Sequence, residues 1–352
     1  MQSLFKQTRT RVHTPQAQQR ERERGLLSAA RSCAAIQLGT QLLLWIFFYG
    51  YDQAQQAVWQ SALMLLLPLG ALWLVWKSAA ADHPAGKWWM LPLLLCLLAD
   101  AALMVTALGG FVSQLVPNDP AWVPGLLSVG ICYLAALRSR ERGVRYGSAV
   151  MAVPLVVLLL FGTVFLRAST RSDRMWPILG DGLLSTAQSA LGGIGAVWSV
   201  SLLFALPRSP KVLWKSCGWA VVPWALCTVC AVWFGFVRPW AAGDDLAISE
   251  KMMGLARHAH SVILYEMSGI LWMLLIPTSL IACFSTGGEL LTRAFPRMPL
   301  WAALLPVPAL ACTAALAFPE NIFGLLGTAL PWRWVISLIC GLGLVIAGRR
   351  KK

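Results

Sequence analysis

At 352 residues, with 58% hydrophobic and only 12% charged, the chain is too apolar for a soluble globular protein and too poor in polar sequence for a sizeable soluble domain. A formal charge of +14 would suit nucleic acid, but the basic residues lie between and beyond apolar runs, where they set membrane orientation, so no nucleic-acid partner is expected. The nine cysteines fall mostly inside those runs, which argues against a disulfide framework; even Cys227 and Cys230, at redox spacing, read as small packing side chains.

Residues 1–31 form a polar, Gln- and Arg-rich tail without the pattern of a cleavable signal. Ten apolar spans follow, expected near 32–49, 57–76, 88–112, 122–137, 144–166, 185–206, 212–237, 262–284, 300–318 and 325–347. The span at 122–137 is short and is expected to start earlier or to lie thin in the membrane. The Arg349 to Lys352 tail closes the chain. Placing both termini in the cytoplasm puts most Lys and Arg on the inside, including those at Arg138 to Arg145, Lys87, Arg293 and Arg297.

Between the spans, Val116 to Pro124 is a proline-stiffened loop with Trp122 at headgroup depth. The stretch Asp244 to His260 places Ile248, Met252, Leu255, Ala259 and Val262 on one stripe and reads as an interfacial helix. His258 and His260 form H-x-H without a third ligand nearby, so no metal site is expected.

The segment Arg174 to Pro207 carries the sharpest site signal. It enters through Trp176-Pro177 and a Gly-Asp-Gly turn at Gly180 to Gly182, then places Gly192, Gly193 and Gly195 in the first half of the sixth span. Three glycines in four positions allow the helix to unwind, and unwound backbone at membrane depth must line a cavity or be buried in protein. Close helix packing through small residues is the alternative. Ten spans divide into five and five, the arithmetic of an inverted repeat with its site where the first span of each half breaks. The repeats are expected at about 32–167 and 175–348. The first span has a matching break candidate at Gly39, flanked by Gln37, Thr40 and Gln41.

Several residues are weighed as ligand contacts. Asp100 lies in mid-span, where an acid is costly enough to be a functional candidate by default. Its open readings are an ammonium contact, a proton carrier and a structural hydrogen bond. Ser189 precedes the glycines of the sixth span, where freed N–H groups near Gly192 and Gly193 suit a carboxylate. Gln37, Thr40 and Gln41 serve equally as interhelical hydrogen-bond formers. Glu266 reads as an interfacial acid, and Glu289 and Glu320, near span ends, as solvated. There is no nucleotide loop, catalytic triad or paired-carboxylate motif, so an enzyme is not expected, nor any cofactor.

The same residues carry a family resemblance. Met175, Trp176, Pro177, Ile178 and Leu179, with Gly182 and a glycine-bearing span ending at Pro207, are similar to the Asn-Leu-x-Pro-x-Leu run and sixth span of the spore-germination permeases. These are the GerAB-like B subunits of germinant receptors, within the amino acid/polyamine/organocation (APC) superfamily. Val116-Pro117-Asn118-Asp119-Pro120 resembles their x-Pro-x-Thr-Pro loop, and Arg138 to Arg145 their basic loop. Trp198 and Ser199 stand where the family often has an acid. The resemblance implies an all-α, ten-helix, LeuT-like bundle in the spore inner membrane. With A-type and C-type subunits it would sense a small nutrient such as an amino acid. An amino acid or polyamine transporter and a structural scaffold subunit are the alternatives.

Overall fold

The computed structural model describes residues 90–115, 122–141 and 262–317, together with 32, 35, 36, 39, 182–184, 336, 339, 343 and 346. Leu- and Ala-rich sequence gives α1 (Met90–Leu115), the third expected span, and α2 (Trp122–Glu141), the fourth. Pro92 sits in the first turn of α1, where a missing N–H costs nothing. Helix α2 starts at Trp122 as expected rather than earlier, and its length beyond 122–137 is gained at the C-terminal end in Arg138, Ser139, Arg140 and Glu141, so its apolar part stays short. No strand occurs among the described residues.

The eighth span, α3 (Val262–Ala294), departs furthest from expectation. It was expected to end at Phe284, before the polar and small run Ser285-Thr286-Gly287-Gly288-Glu289, but the helix continues ten residues further. The glycines explain why. A Cβ on Gly287 would lie 2.6 Å from Val307 Cγ2 and 3.2 Å from Leu97 Cδ2, and one on Gly288 would lie 2.5 Å from Leu304 Cδ2. Neighbouring helices therefore press onto a backbone stripped of side chains, which is how small residues hold membrane helices together. Pro277, inside α3, removes the backbone bond to the Met273 carbonyl. The next residue, Thr278, donates its hydroxyl to the Leu274 carbonyl, and the Cys132 thiol of α2 lies 3.9 Å from the Pro277 carbonyl. Hydroxyls and neighbouring helices of this kind are what make an intramembrane proline tolerable.

The ninth span forms as two pieces, α4 (Leu300–Leu304) and α5 (Pro306–Ala317). Leu305 between them keeps helical dihedrals (φ −71°, ψ −38°), and the Ala309 N–H still reaches the Leu305 carbonyl at 3.1 Å. Pro306 and Pro308 have no N–H to offer Ala302 and Leu304, so the ladder is interrupted while the path of the chain is kept.

Helix α3 touches every other helix in the group, and α1 packs on α5, α3 and α2. Three contacts set the register of α1 on α3. Leu97 meets Gly287, Met104 and Ser279 both meet Gly39, and Met90 and Leu94 share a cavity with Leu290, Leu291 and Phe295. Rising numbers on α1 thus match falling numbers on α3, and the two helices run antiparallel. The start of α1 and the end of α3 lie at the same end of the bundle, as the topology read from loop charge requires.

Exchanging the third span with the eighth and the fourth with the ninth carries the α1–α5 packing onto α3–α2, carries α1–α2 onto α3 with α4 and α5, and leaves α1–α3 in place. All of these pairings are present, which is compatible with the two-fold repeat expected from the sequence. The repeat boundaries themselves lie outside the described residues.

Candidate functional site

The described residues of the first span meet this group of helices. Ser32, Ala35, Ile36 and Gly39 are helical and buried, or in the case of Gly39 pressed on a neighbour, and their i, i+3, i+4, i+7 spacing puts them on one side. At Gly39 there is no room for a methyl group. A Cβ there would overlap the Ser279 hydroxyl, lie 2.6 Å from Ser279 Cβ and touch Met104 Sδ at 3.4 Å.

Ser279, wholly buried on α3, donates its hydroxyl to the Ala35 carbonyl at 2.7 Å. That carbonyl belongs to the residue four before Gly39, the one to which the Gly39 N–H bonds in an unbroken α-helix. A second donor therefore already stands at the carbonyl that a break at Gly39 would release. Gly39 is itself helical, so the break expected there is not seen at this residue; the Ser279 hydroxyl is placed to keep the Ala35 carbonyl satisfied if the helix opens.

Asp100 is also wholly buried. It lies one turn before Met104, and the register places it on the α1 face level with α3 between Ser279 and Gly287. Its Oδ2 atom is enclosed, and the residue engages a neighbour. Chemically, an Asp carboxylate suits an ammonium group or a small hard cation rather than a soft metal. No group of three or more His, Cys, Asp or Glu side chains is placed to hold a metal ion among the described residues.

Of the residues singled out from sequence, Gly39 and Asp100 are brought to this junction. Gln37, Thr40, Gln41, Ser189, Gly192, Gly193 and Gly195 lie outside the described residues, as does Glu320. Gly182, at the end of the Gly-Asp-Gly turn, has a φ of 122°, which only glycine adopts readily, and helix begins at Leu183.

Two features of the site went unseen in the sequence. Ser279 was not singled out, although Thr278 and Ser279 directly after Pro277 in mid-span carried the signal: hydroxyls beside a proline that frees backbone groups. Glu289 was expected to be solvated near a span end and is instead only 5% exposed. The span runs past it, and Glu289 joins Thr278, Ser279, Ser285 and Thr286 as buried polar residues of α3.

No protein-family model matches the chain, and no curated protein matches its sequence. Solved structures do. The manganese transporter of Eremococcus coleocola, in complex with an aromatic bis-isothiourea compound, is similar at a TM-score of 0.58 and 14% identity, over 92% of this chain and 85% of the transporter. Mhp1, a nucleobase-cation-symport-1 family transporter in a closed conformation with bromovinylhydantoin bound, is similar at a TM-score of 0.55 and 14% identity, over 86% of this chain and 74% of its own. At this identity the likeness defines the fold. The chain is an all-helical, multi-pass membrane protein with the LeuT-type fold of these transporters.

Proposed function

We propose that the chain is a permease-like membrane protein that binds a small zwitterionic or cationic solute where the first span packs on α1 and α3. One observation carries this reading: the Ser279 hydroxyl caps the carbonyl that a break at Gly39 would free, at a level next to the buried acid Asp100. Asp100 receives the ammonium group of the solute. The freed N–H groups near Gly192 and Gly193 of the sixth span receive its carboxylate.

Occupancy favours one arrangement of the bundle over another through differential affinity for the two. In the finer form of this proposal, that shift is a signal. The chain is the nutrient-sensing subunit of a germinant receptor in the spore inner membrane, acting with A-type and C-type subunits, and the resemblance around Met175 to Pro207 supports it. Secondary transport of an amino acid or polyamine is the second reading, favoured by the transporters that share the fold.

The test is thermal stabilisation of the purified chain by a panel of amino acids, polyamines, nucleosides and sugars, followed by uptake of any binder into proteoliposomes. A shift specific to one amine-bearing solute is expected, with affinity at least ~10-fold weaker in Asp100→Asn, since an ammonium–carboxylate contact contributes about 1.5–3 kcal/mol. Binding without accumulation identifies a sensor, and accumulation identifies a transporter. Folded protein that no solute stabilises would sink both forms.

A further inference from the structure

An apolar cavity of about 140 Å³ opens between the first turns of α1 and the last turns of α3. Met90, Leu91 and Leu94 line one wall, and Leu290, Leu291 and Phe295 the other. These side chains offer an occupant no hydrogen bond, and a space of this size walled by hydrocarbon excludes water and accepts apolar groups. Leu91, 43% exposed, and Phe295, 50% exposed, form its rim, so the cavity communicates with the surroundings of the bundle.

Charge stands at the same end. Beyond Phe295 the chain turns, closed by the Met298 N–H on the Phe295 carbonyl at 3.0 Å, and this turn exposes Arg297. Loop charge assigns this end of α3 to the cytoplasmic side, where basic residues between helix ends meet anionic lipid headgroups. An apolar slot whose rim residue Phe295 is followed two residues on by the exposed Arg297 suits an occupant with an apolar tail and an anionic head.

We propose that this cavity is a binding site for an anionic phospholipid, one acyl chain lying between α1 and α3 and the phosphate resting on Arg297. The acyl chain fills the gap between the two helices about three turns along α3 from the Gly39–Ser279 contact. The lipid thus braces the antiparallel α1–α3 pair without touching the solute site, and the inference stands independently of what solute binds there.

Native mass spectrometry of the full chain tests this, with dioleoyl phosphatidylglycerol and dioleoyl phosphatidylcholine as probes at equal concentration. The wild-type chain is expected to retain the phosphatidylglycerol with a roughly fivefold preference, the worth of one basic residue near a membrane surface. Arg297→Gln is expected to remove the preference while keeping lipid retention, and Arg297→Lys to restore it. Leu94→Trp fills the cavity and is expected to lose retention of both lipids. If Leu94→Trp does not fold, Ala294→Met, which adds volume at a lining position, is expected to give the same loss. Equal retention of the two lipids by wild-type protein, or a preference unchanged in Arg297→Gln, would overturn the proposal. So would undiminished retention in a folded cavity-filling variant.

Discussion

Helix α3 and the α4–α5 pair are both apolar enough to cross a membrane, yet they are buried in the opposite order to their hydrophobicity. The Met273–Thr292 segment of α3 has a mean hydropathy of 1.5 and is 83% buried, whereas Leu300–Ala317 has a mean hydropathy of 1.9 and is 28% buried. In water the more apolar helix would be the hidden one. In lipid there is no hydrophobic drive between helices, so burial follows small and polar residues, which need partners and allow close approach. Gly287, Gly288, Thr278, Ser279 and Glu289 draw α3 to the centre, while Trp301, Leu305, Leu310 and Leu316 of the outer pair are left exposed.

The contrast breaks most readily at Gly288. Valine there drives a branched side chain into Leu304 and is expected to cost about 2–3 kcal/mol, read as a lower unfolding temperature by tryptophan fluorescence. A variant as stable as wild type would show that the close approach of α3 and α4 is dispensable.

A smaller loss, about 1–2 kcal/mol, is expected for Gly39→Ala, because its methyl group meets Ser279. Combining it with Ser279→Gly sharpens the point. The pair is expected to be more stable than additivity allows by about 1 kcal/mol, as for residues in direct contact. Strict additivity in the double-mutant cycle would separate the two positions.

Ser279→Ala alone removes the hydroxyl from the Ala35 carbonyl and is expected to cost about 1 kcal/mol, with solute binding weakened more than stability. Equal losses in both would assign Ser279 to packing only. The smallest effect belongs to the outer pair. Leu310→Ala, on the exposed face of α5, is expected to stay within about 0.5 kcal/mol of wild type in detergent. A loss several times larger would mean that another surface covers α5.

Much of the fold was legible beforehand because a bilayer imposes length and polarity on every span. The starts of α2, α3 and α4 fall on the residues read from composition, Trp122, Val262 and Leu300. The end of α3 was misread for a physical reason: in a window of hydropathy, Ser285 to Glu289 looks like the edge of a membrane, and nothing local distinguishes an edge from a packing seam. Of the residues proposed for the site, Gly39 and Asp100 are the ones among the described residues. Asp100 stood out because an acid in mid-span is costly, with a structural hydrogen bond as one of its readings. Gly39 stood out as a break but is helical, its missing side chain serving the close approach of Ser279, and Ser279 acquires meaning only once α3 is laid beside the first span.

By itself the sequence determined that the chain lives in a membrane, that helices begin at Trp122, Val262 and Leu300, that the start of α1 and the end of α3 share a side, and that Asp100 would have to be dealt with inside the bilayer. Those follow from the cost of exposing polar groups to lipid, a cost that each segment bears alone. Tertiary structure decided which apolar helix is central, that Glu289 is buried, and that Ser279 reaches the Ala35 carbonyl. Each of these depends on a partner distant in the chain, held in place by glycines whose only contribution is the space they leave.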